Sequence, residues 1–265
     1  MATAAPMAGD REMSIGRVFE RAFAAIKTNP GVILGLAFAV GALPALFISI
    51  LFVQAGFGSP EAFRTGAISP RAFAGAIFLS VLVSLVISAI VQAALTRATV
   101  SASEGRKASF GESLATGLRV IIPLVVLAIV SGIGIALGMM LLIVPGIILG
   151  LMWAVAVPTL VIERRGVFGS LGRSSELTKG AKWKILGIVL IVWVTYWLVS
   201  LIVGVVGLSA YGPTATGLNA MNIIGNVVLG TLINAAWGTV QPAIYVELRQ
   251  WKEGTSVEAL EEVFA

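Results

Sequence analysis

The chain of 265 residues contains no cysteine and no histidine, and only 12% of its residues are charged. Without cysteine there is no disulfide, no thiolate nucleophile and no cysteine-held zinc or iron–sulfur site. Without histidine the chain lacks the most frequent general base and the most frequent metal ligand. Soluble domains have about 25% charged residues, whereas this chain is 58% hydrophobic. The composition therefore predicts an integral membrane protein and leaves few ways to build an active site.

Six segments are long and apolar enough to cross a bilayer as helices, which takes about 20 residues each. They are 30–53, 72–95, 120–143, 147–162, 183–208 and 221–246. The third and fourth could form one bent helix, but together they are about twice as long as a bilayer requires. The turn signal Pro145-Gly146 also separates them. We predict an all-α, polytopic membrane bundle of six transmembrane helices.

Basic residues are distributed unequally between the two sides of this bundle. Sixteen of the 18 lie before span 1, between spans 2 and 3, between spans 4 and 5, or after span 6. Only Arg64 and Arg71 lie on the other side. Because short loops rich in lysine and arginine remain in the cytoplasm, the sequence predicts that both termini are cytoplasmic.

A similar pattern occurs three times along the chain. Apolar residues at helical spacing precede spans 1, 3 and 5, and the even-numbered spans end alike, in VQAALTRA, VPTLVIER and VQPAIYVE. We predict three amphipathic helices at the membrane interface and three parallel repeats, 13–97, 108–164 and 167–247. The alternative is that any hairpin bundle with basic loops on one side looks repetitive.

The domain prediction places the membrane bundle at 13–247, between two terminal segments. Residues 1–12 contain Asp10 and Glu12 and no apolar core, so they are predicted to be a disordered tail rather than a cleavable signal peptide. Residues 248–265 are predicted to form a cytoplasmic helix, since TSVEALEEVF has a capping pattern and one apolar face. This helix either docks a partner or, as we prefer, folds against the basic interfacial helices.

Small polar residues lie inside spans 2 and 6, and they have two interpretations. The residues are Ser84, Ser88, Gln92, Asn234 and Gln241. They could line a path for a substrate or ion, or they could form hydrogen bonds between helices, which we favour. Charged residues lie only at the ends of the spans, which disfavours an ion-coupled transporter because proton and ion relays normally need charge inside the membrane.

Charged residues gather where spans 4, 5 and 6 meet the cytoplasm. A candidate binding site for lipid headgroups comprises Arg164, Arg165, Arg173, Lys179, Lys182 and Lys184. The favoured alternative is that these side chains only mark the start of span 5, where lysines extend to the interface beside Trp183. We also predict an ion-pair layer in which Glu163 and Glu247 pair with Arg173 and Arg249.

Residues 144–187 and 240–254 carry a resemblance to a known family. The matching positions are Pro158, Glu163, Arg173, Ser174, Leu177, Thr178, Lys179, Gly180, Trp183, Tyr245, Leu248 and Arg249. This pattern resembles the six-span membrane domain attached to some glycerophosphoryl diester phosphodiesterases, and its stand-alone bacterial relatives. In that family the activity belongs to a separate soluble barrel with histidines and metal-binding carboxylates. The resemblance thus implies a bacterial inner-membrane protein without catalysis of its own.

The sequence therefore predicts a non-enzymatic membrane protein with a scaffold, lipid-interacting or envelope-maintenance role. We expect no catalytic residue, cofactor, metal or nucleic acid, and we expect anionic membrane lipids as partners. The alternative is a transporter or channel for a lipid-like or amphipathic substrate, which would use the polar residues of spans 2 and 6. A membrane-embedded lipid enzyme is a third, weaker hypothesis.

Overall fold

The computed structural model describes residues 12–57, 60–211 and 220–253, and in these ranges the chain is helical with no strand. The predicted all-α class is therefore confirmed. The helices are α1 (Ile15–Thr28), α2 (Pro30–Leu36), α3 (Leu43–Gln54), α4 (Pro60–Arg64), α5 (Pro70–Ser103), α6 (Phe110–Arg119), α7 (Ile121–Leu141), α8 (Ile143–Met152), α9 (Ala156–Glu163), α10 (Gly166–Thr178), α11 (Lys182–Tyr211) and α12 (Ala220–Glu253). The predicted tail, apart from Glu12, and residues 254–265 of the predicted terminal helix lie outside the described residues.

Six helical segments are long and apolar enough to span a membrane, which supports the predicted multi-pass protein. They are Pro30–Gln54, Pro70–Ser103, Ile121–Leu141, Ile143–Glu163, Lys182–Val205 and Ile223–Glu253. The last segment extends beyond the predicted span, because α12 continues without a break into the predicted terminal segment. Large apolar side chains are exposed along the spans, among them Phe47, Phe78, Met140 and Trp197. Such exposed apolar surface is typical of a protein that faces lipid.

Two spans contain an irregular segment close to a proline, Pro44 in the first span and Pro158 in the fourth. In the first, residues Ala37–Ala42 are π-helical, just before Pro44, whose missing N–H leaves the carbonyl of Val40 without its α-helical donor. The fourth span is broken between α8 and α9 at residues 153–155. Spans 1 and 4 are therefore not continuous α-helices.

The turn between spans 3 and 4 lies three residues earlier than predicted. Leu142 is extended (φ −159°, ψ 144°), and Pro145 and Gly146 belong to α8. Pro145 is tolerated there because the first N–H groups of a helix have no intrahelical partner. Gly146 permits close packing, since a Cβ at this position would lie 2.7 Å from the backbone nitrogen of Met139.

Three short helices, α1, α6 and α10, lie at one end of the bundle, which we call the charged end. Each packs mainly against the end of a span: α6 against α5, α10 against α9, and α1 against α12. The buried core is concentrated near this end, around Val18, Leu95, Leu160, Ile185 and Tyr245. The packing of α1 on α12 joins the first and last helices of the described chain.

Candidate functional site

Glu247 joins α12 to α1 through a buried carboxylate. Its side chain is 3% exposed, and its two oxygens lie 2.6 Å from Arg17 Nη2 and 3.3 Å from Arg21 Nε. The backbone N–H of Ser14 donates a further hydrogen bond, 3.2 Å long. Two guanidinium groups and an amide therefore compensate the loss of hydration that a buried carboxylate suffers.

The predicted pair of Glu247 with Arg249 is wrong. Arg249 Nε instead donates to Glu253 on the same helix, at 2.8 Å. Residues two apart do not face each other on an α-helix, whereas residues four apart do. Helical geometry thus directs Arg249 to Glu253 and leaves Glu247 to the arginines of α1.

Glu163, at the end of α9, has three partners. Arg173 Nε lies 3.1 Å away and Arg165 Nε 2.8 Å away, and the Tyr245 hydroxyl donates a bond of 3.0 Å. Arg173 is the partner that we predicted from the sequence, and it also contacts Glu253 of α12. Glu163 consequently ties α9 to both α10 and α12.

Polar side chains from α10 and α12 bind the backbone where the fourth span breaks. Ser174 Oγ, fully buried, donates to the Met152 carbonyl at 2.8 Å and accepts from the Val155 N–H at 3.3 Å. Gln241 Nε2 donates to the Ala154 carbonyl at 2.8 Å. Inside a membrane, freed backbone groups require such partners. The break is thus stabilised by tertiary hydrogen bonds, because its backbone groups bind side chains that are 19 to 87 residues distant in sequence.

The structure does not bring the predicted polar path to one surface. Ser84 and Ser88 are exposed on α5. Gln241, in contrast, is buried and donates a hydrogen bond to the Ala154 carbonyl in the break before α9. Asn234 Nδ2 donates to the Gly230 carbonyl of its own helix at 2.8 Å. Gln92 is half-buried, and its Oε1 has no hydrogen-bond partner among the described residues.

The six residues of the predicted headgroup site divide into two groups. Three are held by carboxylates: Arg165 and Arg173 by Glu163, and Lys184 by Glu12. The hydrogen bond and charge of Lys184 lower the pKa of the Glu12 carboxyl. The other three have no ion pair within the described part of the chain; they are Arg164, Lys179 and Lys182.

Arg164 lines a separate cleft, which we call the arginine cleft, of about 490 Å³ between α5, α6 and α9. Its lining residues are Arg97, Glu112, Ala115, Thr116, Arg119, Val161, Ile162 and Arg164. Arg97 Nη2 donates to Glu112 Oε1 at 2.8 Å. This bond and the positive charge lower the pKa of the Glu112 carboxyl, and Arg106 contributes weakly in the same direction.

Sequence reasoning missed the arginine cleft as a unit. Arg97 and Arg119 lie near the boundary between the first two proposed repeats and were counted only among the cytoplasmic basic residues, while Glu112 was not singled out. The available signal was the helical spacing of α6, which predicts a helix packed on the end of α5. Arg97 on α5 and Glu112 on α6 then form an ion pair between a span and a short helix, as Glu163 on α9 and Arg173 on α10 do.

A second concavity, of about 540 Å³, is almost entirely apolar and lies where α1 crosses α11 and α12. Phe19 and Phe23 of α1 form one side, and Val199 and Leu232 are among the residues that α11 and α12 contribute. This apolar groove can accept an apolar group such as an acyl chain but offers no charged group to orient it. It is therefore a weaker candidate for a specific site than the arginine cleft.

Within residues 12–57, 60–211 and 220–253 there is no group of three or more acidic side chains that could hold a metal ion. Comparisons of the chain with protein-family models, with curated proteins and with solved structures give no match.

Proposed function

We propose that this integral membrane protein is non-enzymatic and interacts with anionic lipids at its charged end, in a bacterial inner membrane with both termini cytoplasmic. The proposal is carried by one observation: Arg164, Lys179 and Lys182 stand at the ends of apolar spans with no carboxylate partner in the described ranges. Each basic residue near an anionic leaflet contributes about 1 kcal/mol of attraction. The resemblance noted in the sequence also supports a role without catalysis, as a scaffold or envelope-maintenance protein that uses the same surface.

Native mass spectrometry of the protein extracted with its membrane lipids tests this proposal. We compare the parent with Lys179→Ala/Lys182→Ala and with a control of equal charge change, Arg64→Ala/Arg71→Ala. We expect the parent and the control to retain anionic lipid, and the lysine variant to retain less of it. Equal lipid retention in all three proteins would contradict the proposal and would leave the lysines as flanking residues of α11.

A transporter or channel for a lipid-like or amphipathic substrate is a second candidate, favoured by the broken fourth span. Discontinuous helices form substrate sites in many transporters, and the oxygens of Gln92 and Gln241 are buried without a hydrogen-bond partner among the described residues. The test is flux of a fluorescent lipid analogue in proteoliposomes. Flux by the parent that is lost in Gln92→Ala or Gln241→Ala would support transport, and absence of flux would remove this candidate.

A further inference from the structure

The arginine cleft combines an excess of positive charge with a limited volume. Three guanidinium groups line it (Arg97, Arg119 and Arg164), and Glu112 is its single carboxylate. We propose that this cleft is a binding site for a phosphate group, contacted by Arg119 and Arg164 and supported by Arg97. The inference rests on the proposed function insofar as the phosphate belongs to a lipid headgroup.

The pairing of charges inside the cleft leaves two arginines available. Arg97 is engaged with Glu112 through a bond of 2.8 Å. Arg119 and Arg164 are exposed and have no ion pair in the part of the chain that the structure describes. A guanidinium presents paired N–H donors that match two phosphate oxygens, and it is more weakly hydrated than an ammonium group. Two unpaired arginines beside a third therefore favour phosphate over a single carboxylate.

The backbone at Arg164 is unusual and supports a specific role for its side chain. Arg164 caps α9 in the left-handed conformation, with φ 52° and ψ 34°, and it is the one non-glycine residue with positive φ in the described chain. An arginine has a steric cost in this conformation that a glycine does not have. Strained residues of this kind cluster at ligand sites, where the side chain is needed in one place.

The position and size of the cleft fit a lipid phosphate. Val161 and Ile162 in its lining belong to the end of the fourth span, and Arg97 lies near the end of the second. The cleft thus lies where apolar spans give way to charged residues, which is the depth of phosphate groups in a bilayer. Its volume of about 490 Å³ lies within the roughly 300–1,000 Å³ of small-molecule sites and leaves room for a group attached to the phosphate.

The experiment uses the full chain in detergent and three probes. Phosphatidylglycerol carries acyl chains and a phosphate, diacylglycerol carries acyl chains alone, and inorganic phosphate carries no acyl chain. Binding of the two lipids is measured by native mass spectrometry, and that of inorganic phosphate by calorimetry. The variants are Arg164→Gly and Arg119→Gln, with Lys27→Ala as a control that removes an exposed charge elsewhere.

Arg164→Gly separates binding from folding. Glycine adopts the left-handed conformation freely, so this variant should unfold at the same temperature as the parent or at a higher one. We expect the association constant for phosphatidylglycerol to fall at least about tenfold in Arg164→Gly and in Arg119→Gln. It should stay unchanged in Lys27→Ala, and diacylglycerol should bind all four proteins equally.

Each other outcome has a separate meaning. Equal phosphatidylglycerol binding in the parent and both arginine variants would overturn the phosphate site while leaving general lipid interaction intact. Binding of inorganic phosphate that the arginine variants lose, without binding of phosphatidylglycerol, would support the site and overturn its lipid source. A parent that binds neither phosphatidylglycerol nor inorganic phosphate would overturn both the phosphate site and the proposed interaction with anionic lipids.

Discussion

The junction of α12 with α1 and the junction of α5 with α6 use the same chemistry in different surroundings. In each, a carboxylate and an arginine join a short helix to the end of a span, at 2.6 Å for Glu247 with Arg17 and 2.8 Å for Glu112 with Arg97. The side chain of Glu247 is 3% exposed, whereas that of Glu112 is 59% exposed. Similar distances therefore conceal different energetics, because burial decides what the loss of a partner costs.

The difference in burial also separates arginines that hold the fold together from arginines that can bind a ligand. A buried carboxylate fixes its arginines, so Arg17 and Arg21 are committed to holding α1 in place. An exposed pair contributes little to stability and leaves the neighbouring Arg119 and Arg164 open to a ligand. The third junction, Glu163 with Arg173, lies between these extremes, with side-chain exposures of 11% and 16%. We propose that these three junctions reflect the three parallel repeats predicted from the sequence. The signs of the charges are reversed at the junction of α5 with α6, where the span carries the arginine and the short helix the carboxylate.

The largest effect is expected from removing both arginines of the buried junction. Arg17→Met/Arg21→Met keeps the length of the stems but leaves Glu247 buried without a charge partner. We expect the free energy of unfolding to fall by about 3–5 kcal/mol. Reversible unfolding in mixed detergent–SDS micelles measures it.

The matched control restores neutrality. Adding Glu247→Met to that double variant removes the unpaired charge, so the triple variant should be more stable than the double one. A triple variant that is less stable than the double would show that the carboxylate still has adequate partners and that burial is not what distinguishes this junction.

A smaller effect is expected at the intermediate junction from Tyr245→Phe. The change removes the hydroxyl that donates to Glu163 at 3.0 Å and leaves the ring in the core. A hydrogen bond to a charged group contributes about 1.5–3 kcal/mol, and the remaining partners of Glu163 place our expectation at the lower end. Tyr196→Phe, at an exposed tyrosine, is the control and should change the free energy of unfolding less. Equal effects would mean that Tyr245 does not support Glu163.

The spans could be predicted from the sequence because they depend on local composition. Length and apolar character alone located six segments that the structure also contains. The sequence signals the break at residues 153–155 only through Pro158, whose missing N–H leaves the Ala154 carbonyl without its α-helical donor. A proline alone does not predict such a break, since Pro242 lies inside the continuous helix α12. The break depends on Ser174 and Gln241, which bind the freed backbone from other helices.

The site could be predicted only in part, for the same reason. Glu163 and Arg173 lie ten residues apart, so a helix and a turn suffice to bring them together. Glu247 and Arg17 lie 230 residues apart, and charge alone could not select this partner over the adjacent Arg249. The arginine cleft likewise joins three helices, and its assembly depends on how α5 packs against both α6 and α9.

Glu112→Gln tests the exposed junction of α5 with α6 by neutralising its carboxylate. It should change the free energy of unfolding less than the substitutions at the other two junctions, because the pair is exposed. It should strengthen phosphatidylglycerol binding on the order of fivefold, since a negative charge leaves the arginine cleft and Arg97 becomes available. Glu104→Gln is the control, since it removes an exposed carboxylate that pairs with Arg106 outside the lining of the cleft. Equal strengthening in both variants would indicate a general effect of net charge.

The smallest effect is a pH dependence that the same carboxylate should produce. Arg97 lowers the pKa of Glu112 below its ordinary value of 4.5, so the carboxylate stays charged at neutral pH and becomes neutral only as the pH falls through the lowered value. The stabilisation from the pair is therefore present above pH 4.5 and is lost in acid.

Over the same range Arg97, Arg119 and Arg164 keep their charge, and phosphatidylglycerol should bind the parent more tightly as Glu112 protonates. Binding measured from pH 7 down to a pH below the lowered pKa of Glu112 should rise towards that of Glu112→Gln, whose binding should not show this rise. A parallel rise in both proteins would assign the pH dependence to another group and would remove Glu112 from the account of the arginine cleft.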